Sequence, residues 1–234
     1  MKPIRAHNFF PEEVFTFISD RRVDFCLRDE TRSFTQKQKE YLAGCLPREA
    51  QIVAVRQVHG ADIWVVDNTD DKSEDWPEAD GMLTNLPRIA LSIRTADCLP
   101  IFVYDPHQRC IGLIHAGWKG SRQKIAQQAI RLMQDRYRSR ASDIRAYLGP
   151  GIRACCYRVG QEFRNCFPDE IQEREGVNYL DLALVNKHQL AQAGLREQNI
   201  GISQVCTCCC KDFFSFRGEG ESTGRHLSLI MLQD

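Results

Sequence analysis

The sequence predicts an α+β fold in which buried central sheets are covered by helices. Three observations lead to it: strand-like runs outnumber helical ones, several of those runs are apolar on both faces, and two longer segments carry helical spacing. A chain of 234 residues can bury one sizeable core, and we read it as a single domain over 1–234.

The elements follow in order. IVAVRQV (52–58) and ADIWVV (61–66) read as strands, and the polar stretch 67–80 after them as an exposed loop. IALSIRT (89–95), PIFVYD (100–105) and CIGLIHA (110–116) are β-branched runs bounded by Pro, Asp and Gly, the usual punctuation of strands. Ser121 is placed as the cap of a long helix in which Ile125, Ala129 and Met133 form one stripe, with Leu132 and Arg136 beside it. A second helix is predicted over 184–198, and strands over 144–148, 202–205, 213–216 and 226–232.

Composition narrows the functional classes. Lys plus Arg and Asp plus Glu each total 31, so no global basic field attracts nucleic acid. No apolar run approaches the ~18 residues of a membrane span, and the first residues, MKPIRAHNFFPEE, hold no apolar signal core. A cytoplasmic monomer, with no nucleic-acid or membrane partner, is expected. Eleven cysteines invite a disulfide framework, but an odd number in a chain of this length without an export signal fits reduced thiols better.

Three residues stand apart, each in its own apolar-flanked segment: His59 in VRQVHG, Cys98 in RTADCLP and His115 in GLIHAGW. Two imidazoles and a thiolate are the protein complement of a catalytic zinc site, whose fourth position stays open. The competing reading of each His is a hydrogen-bonded structural residue at a strand end. Asp97 either orients a ligand or carries a proton, or is a turn residue bonded to its own backbone. Gln57, two residues before His59, shares that ligand's face if the segment is a strand; the alternative is a solvated side chain.

Elsewhere, Cys206, Cys208, Cys209 and Cys210 form C-x-C-C-C. Adjacent residues on a strand face opposite ways, which argues against one tetrahedral ion there. Cys155 and Cys156 are read as buried structure or a pocket wall. SFRGEGESTGRH (215–226) is rich in Gly and hydroxyls, and Arg217 and Arg225 offer forked donors for an anion. Lys119, with Gly120 at the start of the long helix, adds positive charge to such a pocket. The alternative is a flexible hairpin with solvated charges.

The words VHGADIW, ADGMLTN, TADCLPIFVYD, IGLIHAGWKG, YLGPGIRACCYRVG and CTCCCKDFFSFRGEGESTGRH occur in that order. Together they resemble the YfiH-like, or laccase-domain, family: purine nucleoside phosphorylases formerly called multicopper polyphenol oxidases. The resemblance runs from residue 55 onward. It implies an α+β core of two packed mixed β-sheets flanked by helices, and it places the family's metal ligands on His59, Cys98 and His115. It further implies zinc-dependent phosphorolysis of adenosine, inosine, guanosine or methylthioadenosine, with adenosine deamination at the side and a small-molecule nucleoside and phosphate as partners. The N-terminal ~50 residues depart from the pattern. FISDRRVDFCLRDETRSF and QKQKEYL lack the family's double glycine and Asn-Leu-Gly word, and Arg158 replaces a Glu.

On this reading Asp97 and Cys98 are catalytic candidates, and Gln57, Lys119, Arg217 and Arg225 are substrate-binding candidates. Zn²⁺ is the expected cofactor, with copper as a substitute. Three rivals stay open. A cysteine hydrolase would use Cys98 as nucleophile and His115 as base. A copper polyphenol oxidase would use the same His₂Cys set, although six histidines are few for multicopper chemistry. A non-catalytic binding protein with a degraded substrate site is the third.

Overall fold

The computed structural model describes residues 6, 9–26, 34–68 and 76–234. Among them, two mixed sheets are stacked face to face. The larger has six strands: β3 (Ile63–Val65), β4 (Gly81–Thr84), β6 (Leu99–Asp105), β7 (Cys110–Ala116), β8 (Arg145–Leu148) and β12 (Ile200–Ile202), in the order β12-β8-β6-β7-β4-β3. The outermost pairs, β12 with β8 and β3 with β4, are parallel and the inner ones antiparallel. The smaller sheet has the order β1-β13-β5-β2, from β1 (Val14–Ile18), β13 (His226–Leu232), β5 (Ile89–Thr95) and β2 (Gln51–Ala54).

Side-chain alternation explains the layering. From the smaller sheet, Leu91, Ile93 and Ile230 meet Phe102, Tyr104, Ile111 and Leu113 of the larger one between the two. The intervening residues Ile101, Val103 and Ile114 point the other way, onto α3 (Ile125–Tyr137) and α4 (Leu182–Gln192). On the outer face of the smaller sheet, Phe15, Phe17, Leu229 and Met231 pack with Phe25 and with Leu42 of α1 (Gln36–Ala43). Strands β5, β6, β7 and β13 are therefore apolar on both faces because both faces are covered. Close approach has its own requirement at Gly112, where a Cβ would sit 2.4 Å from Leu83. A third, antiparallel sheet of β9 (Arg158–Val159), β10 (Ile171–Arg174) and β11 (Val177–Leu180) flanks the core.

Several local expectations are corrected. Ser121 caps no helix: α2 (Trp118–Arg122) starts after Gly117, and Lys124, left-handed at φ 62°, separates it from α3. Ser121 lies inside α2, buried, where it accepts from Asn186 Nδ2 at 2.9 Å. The helix expected over 184–198 starts earlier, on its Asp181 cap, and stops before Gly194, whose φ of 102° breaks it. Residues 213–216 form no strand; Ser215 caps the short α5 (Phe216–Glu219). The strand expected over 52–58 ends at Ala54, so Gln57 and His59 share no strand face. Half of the expected loop 67–80, residues 69–75, lies outside the described residues. β1, β4, β9, β10 and β11 have no counterpart among the expected strands.

Candidate metal centre

Strand register brings the centre together. In the β4/β7 ladder Gly81 lies opposite Ile114, which sets Asp80 beside His115, and in the β6/β7 ladder Pro100 lies opposite His115. Cys98, just before β6, therefore arrives at the same edge. His59 comes from a turn with φ 60°. Donor atoms of His59, Cys98 and His115 lie within 4.8 Å of one another, and the two imidazole rings are 4.8 Å apart at 77°. His59 is exposed, Cys98 half-buried and His115 buried, so the cluster opens to solvent on the His59 side. Gly117 forms its floor: a Cβ there would lie 3.0 Å from Cys98 Sγ and 3.4 Å from His59.

Asp80 organises all of this, and sequence reasoning missed it although ADG was among the quoted words. One carboxylate oxygen accepts from His115 Nδ1 at 2.7 Å and from the His59 amide at 3.0 Å. The other accepts from the amides of Gly60 at 2.6 Å and Val58 at 3.2 Å. Burial works to raise the Asp80 pKa, but His115 and these amides outweigh it, and the net direction is down. The carboxylate thus stays ionised and accepts a hydrogen bond from Nδ1–H of His115, which turns Nε2 toward the cluster. Burial likewise raises the Cys98 thiol, yet the two imidazoles bring it well below the usual thiol range. For His115, burial is overcome by Cys98 and Asp80, and its pKa rises. A metal ion would displace the Nε2 proton of His115, and a thiolate beside two convergent imidazole nitrogens is then a donor set that suits zinc.

The remaining candidates fall in different places. Asp97, at φ 83°, turns its carboxylate away to accept from Thr207 Oγ1 at 2.6 Å, Ser215 Oγ at 3.0 Å and the Arg217 amide at 2.6 Å. Gln57 is engaged at both ends of its amide with the Arg94 backbone, at 2.8 Å each. Arg225 donates to the carbonyls of Thr223 and Gly224. Lys119 is exposed on α2, over Trp118. Arg217 is exposed as well; it donates to the Arg158 carbonyl at 2.7 Å and stacks 5.1 Å over Tyr157. Tyr157, also missed, adjoins Cys98: burial first and then the Cys98 charge raise its pKa to about 12.

None of the eleven cysteines is joined in a disulfide. No helix among the described residues is long and apolar enough to cross a membrane.

With this geometry in place, comparison with known proteins is informative. Residues 22–233 match the family model described as multi-copper polyphenol oxidoreductase laccase, a match that begins well before the ordered motif words. The purine nucleoside phosphorylase YlmD of Geobacillus stearothermophilus is 38% identical over 194 residues, 76% of this chain and 71% of that one. The crystal structure of YlmD from the same organism superimposes with a TM-score of 0.84 at 29% identity, covering 98% of this chain and 94% of that one. That of the hypothetical protein YfiH of Bacillus licheniformis does so with a TM-score of 0.84 at 27% identity, covering 94% and 93%.

Proposed function

We propose that this chain, which belongs to the multi-copper polyphenol oxidoreductase laccase family, is a zinc-dependent purine nucleoside phosphorylase with an accompanying adenosine deaminase activity. Adenosine, inosine, guanosine and methylthioadenosine are the substrates considered. The reaction class comes from a relative named purine nucleoside phosphorylase. The observation that carries it to this chain is the convergence of His59, Cys98 and His115 within 4.8 Å around a bracing carboxylate.

His59, Cys98 and His115 would hold the zinc, which when bound would supply Lewis-acid chemistry suited to an electron-poor purine carbon. The chain does the rest. Asp80 accepts the hydrogen bond from Nδ1–H of His115 and fixes the turn that carries His59. Asp97 ties the 207–217 segment to the base of Cys98, so that Arg217 stands at the rim with Tyr157 beneath it. In phosphorolysis a phosphate oxygen attacks the anomeric carbon as the glycosidic bond to the purine breaks. Arg217 is the rim guanidinium proposed to hold that anion, with the N–H groups that the Arg158 carbonyl does not occupy. Eleven cysteines outside any disulfide suit a reducing cytoplasm.

A second reading has one specific observation behind it. Cys98, His115 and Asp80 also stand in the order nucleophile, base and orienting carboxylate. His59 would be idle in that scheme. Multicopper oxidation has weaker support, because His107, His188 and His226 are engaged with Asp143, Glu170 and the Ser19 and Phe214 backbone instead. A purine nucleoside panel, run with and without phosphate on zinc-replete and chelated protein, tests the proposal. It expects base release that needs both phosphate and zinc. Release independent of phosphate, or activity indifferent to chelation and abolished by thiol alkylation, would reject it.

A further inference from the structure

A second sulfur cluster lies away from the His59–Cys98–His115 centre. Cys155 and Cys156 sit in the turn after Ile152, and Cys206 and Cys209 in the turn after Val205. Their four Sγ atoms all lie within 4.8 Å of one another. Cys209 approaches Cys155 at 3.4 Å and Cys156 at 3.0 Å. Both segments are turns, so the opposite facing of neighbours on a strand does not apply, and the two members of the 155–156 pair reach one point. Cys206-Thr207-Cys208-Cys209 is itself C-x₂-C, a ligand spacing common in structural zinc sites, and its second pair comes from elsewhere in the chain.

From this juxtaposition of four sulfurs we propose that Cys155, Cys156, Cys206 and Cys209 form a second, structural zinc site, separate from the catalytic one. Four thiolates at ~2.3 Å around a tetrahedral ion stand ~3.8 Å apart, within the spacing observed here. A disulfide fits less well, because four mutually adjacent sulfurs leave no unique pair. Four thiols also satisfy a structural ion without an open position, unlike the His₂Cys set.

The site's position gives it a task. The two turns meet through the bridge between Gly151 and Cys206 and the Thr207 amide on the Gly151 carbonyl. The first turn is anchored by the Ile152 amide on the Asp97 carbonyl, and the second by Thr207 Oγ1 on the Asp97 carboxylate. An ion there cross-links the loops that carry Tyr157 and Arg217, and so holds the wall of the catalytic centre without touching substrate. Binding releases one proton from each thiol that was neutral and involves no change of oxidation state.

The test uses full-length Cys98→Ala protein, which lacks the catalytic thiolate, so the outcome does not depend on the phosphorylase reading. Equilibrated with zinc and freed of excess, it should retain one zinc per chain, and cobalt(II) in its place should give the intense thiolate charge-transfer absorption of a tetrahedral sulfur site. Cys156→Ser/Cys209→Ser in the same background should lose both. Should that variant not fold, differential alkylation of the Cys98→Ala protein decides. Zinc should shield Cys155, Cys156, Cys206 and Cys209 together, and a chelator should expose all four. Zinc-free Cys98→Ala protein, or equal labelling of the four with and without zinc, would overturn the proposal.

Discussion

The Asp80 carboxylate lies 2.7 Å from Nδ1 of His115, with 0% and 3% of the two side chains exposed. That bond fixes the imidazole tautomer, and the same carboxylate holds the turn bearing His59, so one residue aims two of the three proposed ligands. Asp80→Asn keeps the volume and loses the charge. It should weaken zinc binding about 10- to 100-fold, measured by competition with a chromophoric chelator. Unchanged affinity would show that the ligands aim themselves.

Cys98→Ala removes the sole thiolate of the catalytic set. Phosphorolysis should fall below detection and tight zinc binding at this centre should vanish, leaving at most the ion of the sulfur cluster. Metal analysis alongside base-release assays checks both, and an active Cys98→Ala enzyme would rule out the centre.

Arg217→Ala removes the rim guanidinium stacked on Tyr157. A charge-assisted bond to phosphate is worth about 1.5–3 kcal/mol, so KM for phosphate should rise roughly 10- to 100-fold, with a much smaller effect on nucleoside affinity. An effect confined to the nucleoside would move the anion site elsewhere.

Asp97→Ala strips three donors of their acceptor, two of them the buried hydroxyls of Thr207 and Ser215. Unsatisfied buried groups cost about 1–3 kcal/mol each, so the melting temperature should drop by roughly 10 °C. Loss of activity without loss of stability would instead make Asp97 a proton carrier.

His226 carries the clearest dependence on pH. Its Nε2 accepts from the Phe214 amide at 2.6 Å and its Nδ1–H donates to the Ser19 carbonyl at 3.0 Å, an arrangement that needs a neutral ring. Burial lowers its pKa to about 4, against about 6.5 in the unfolded chain. Stability from this group is therefore present above about pH 6.5 and lost as pH falls toward 4, because the unfolded chain takes up the proton first. Denaturant unfolding should show about 2 kcal/mol lost between pH 7 and pH 5, and His226→Gln should flatten that slope.

What the sequence discloses follows from how local each signal is. β5, β6, β7 and β13 announce themselves because both faces are apolar. β10 and β11, IQER and VNYL, form a half-exposed hairpin with charged positions, and no periodicity marks them. The three proposed ligands stand out by residue type, while Asp80 is joined to them only by strand register, 35 positions from His115. Asp97 is conspicuous beside Cys98, yet its partners lie 110 to 120 positions away. The C-x₂-C of Cys206 and Cys209 is legible in letters, but its closeness to Cys155 and Cys156 depends on two turns meeting in space.

The position of β13 between β1 and β5 has a consequence for biosynthesis. Among the described residues β1 pairs with β13 alone, in a register that joins Val14 to Leu232. While the ribosome is still extending the chain, β1 has no seat in its sheet, and Phe15 and Phe17 have only part of their cover. Closure of the smaller sheet must wait until residue 232 clears the exit tunnel, and loop closure over more than two hundred residues makes it slow. Until β13 has emerged, β1 is an unpaired, apolar strand, the kind of segment that chaperones shield.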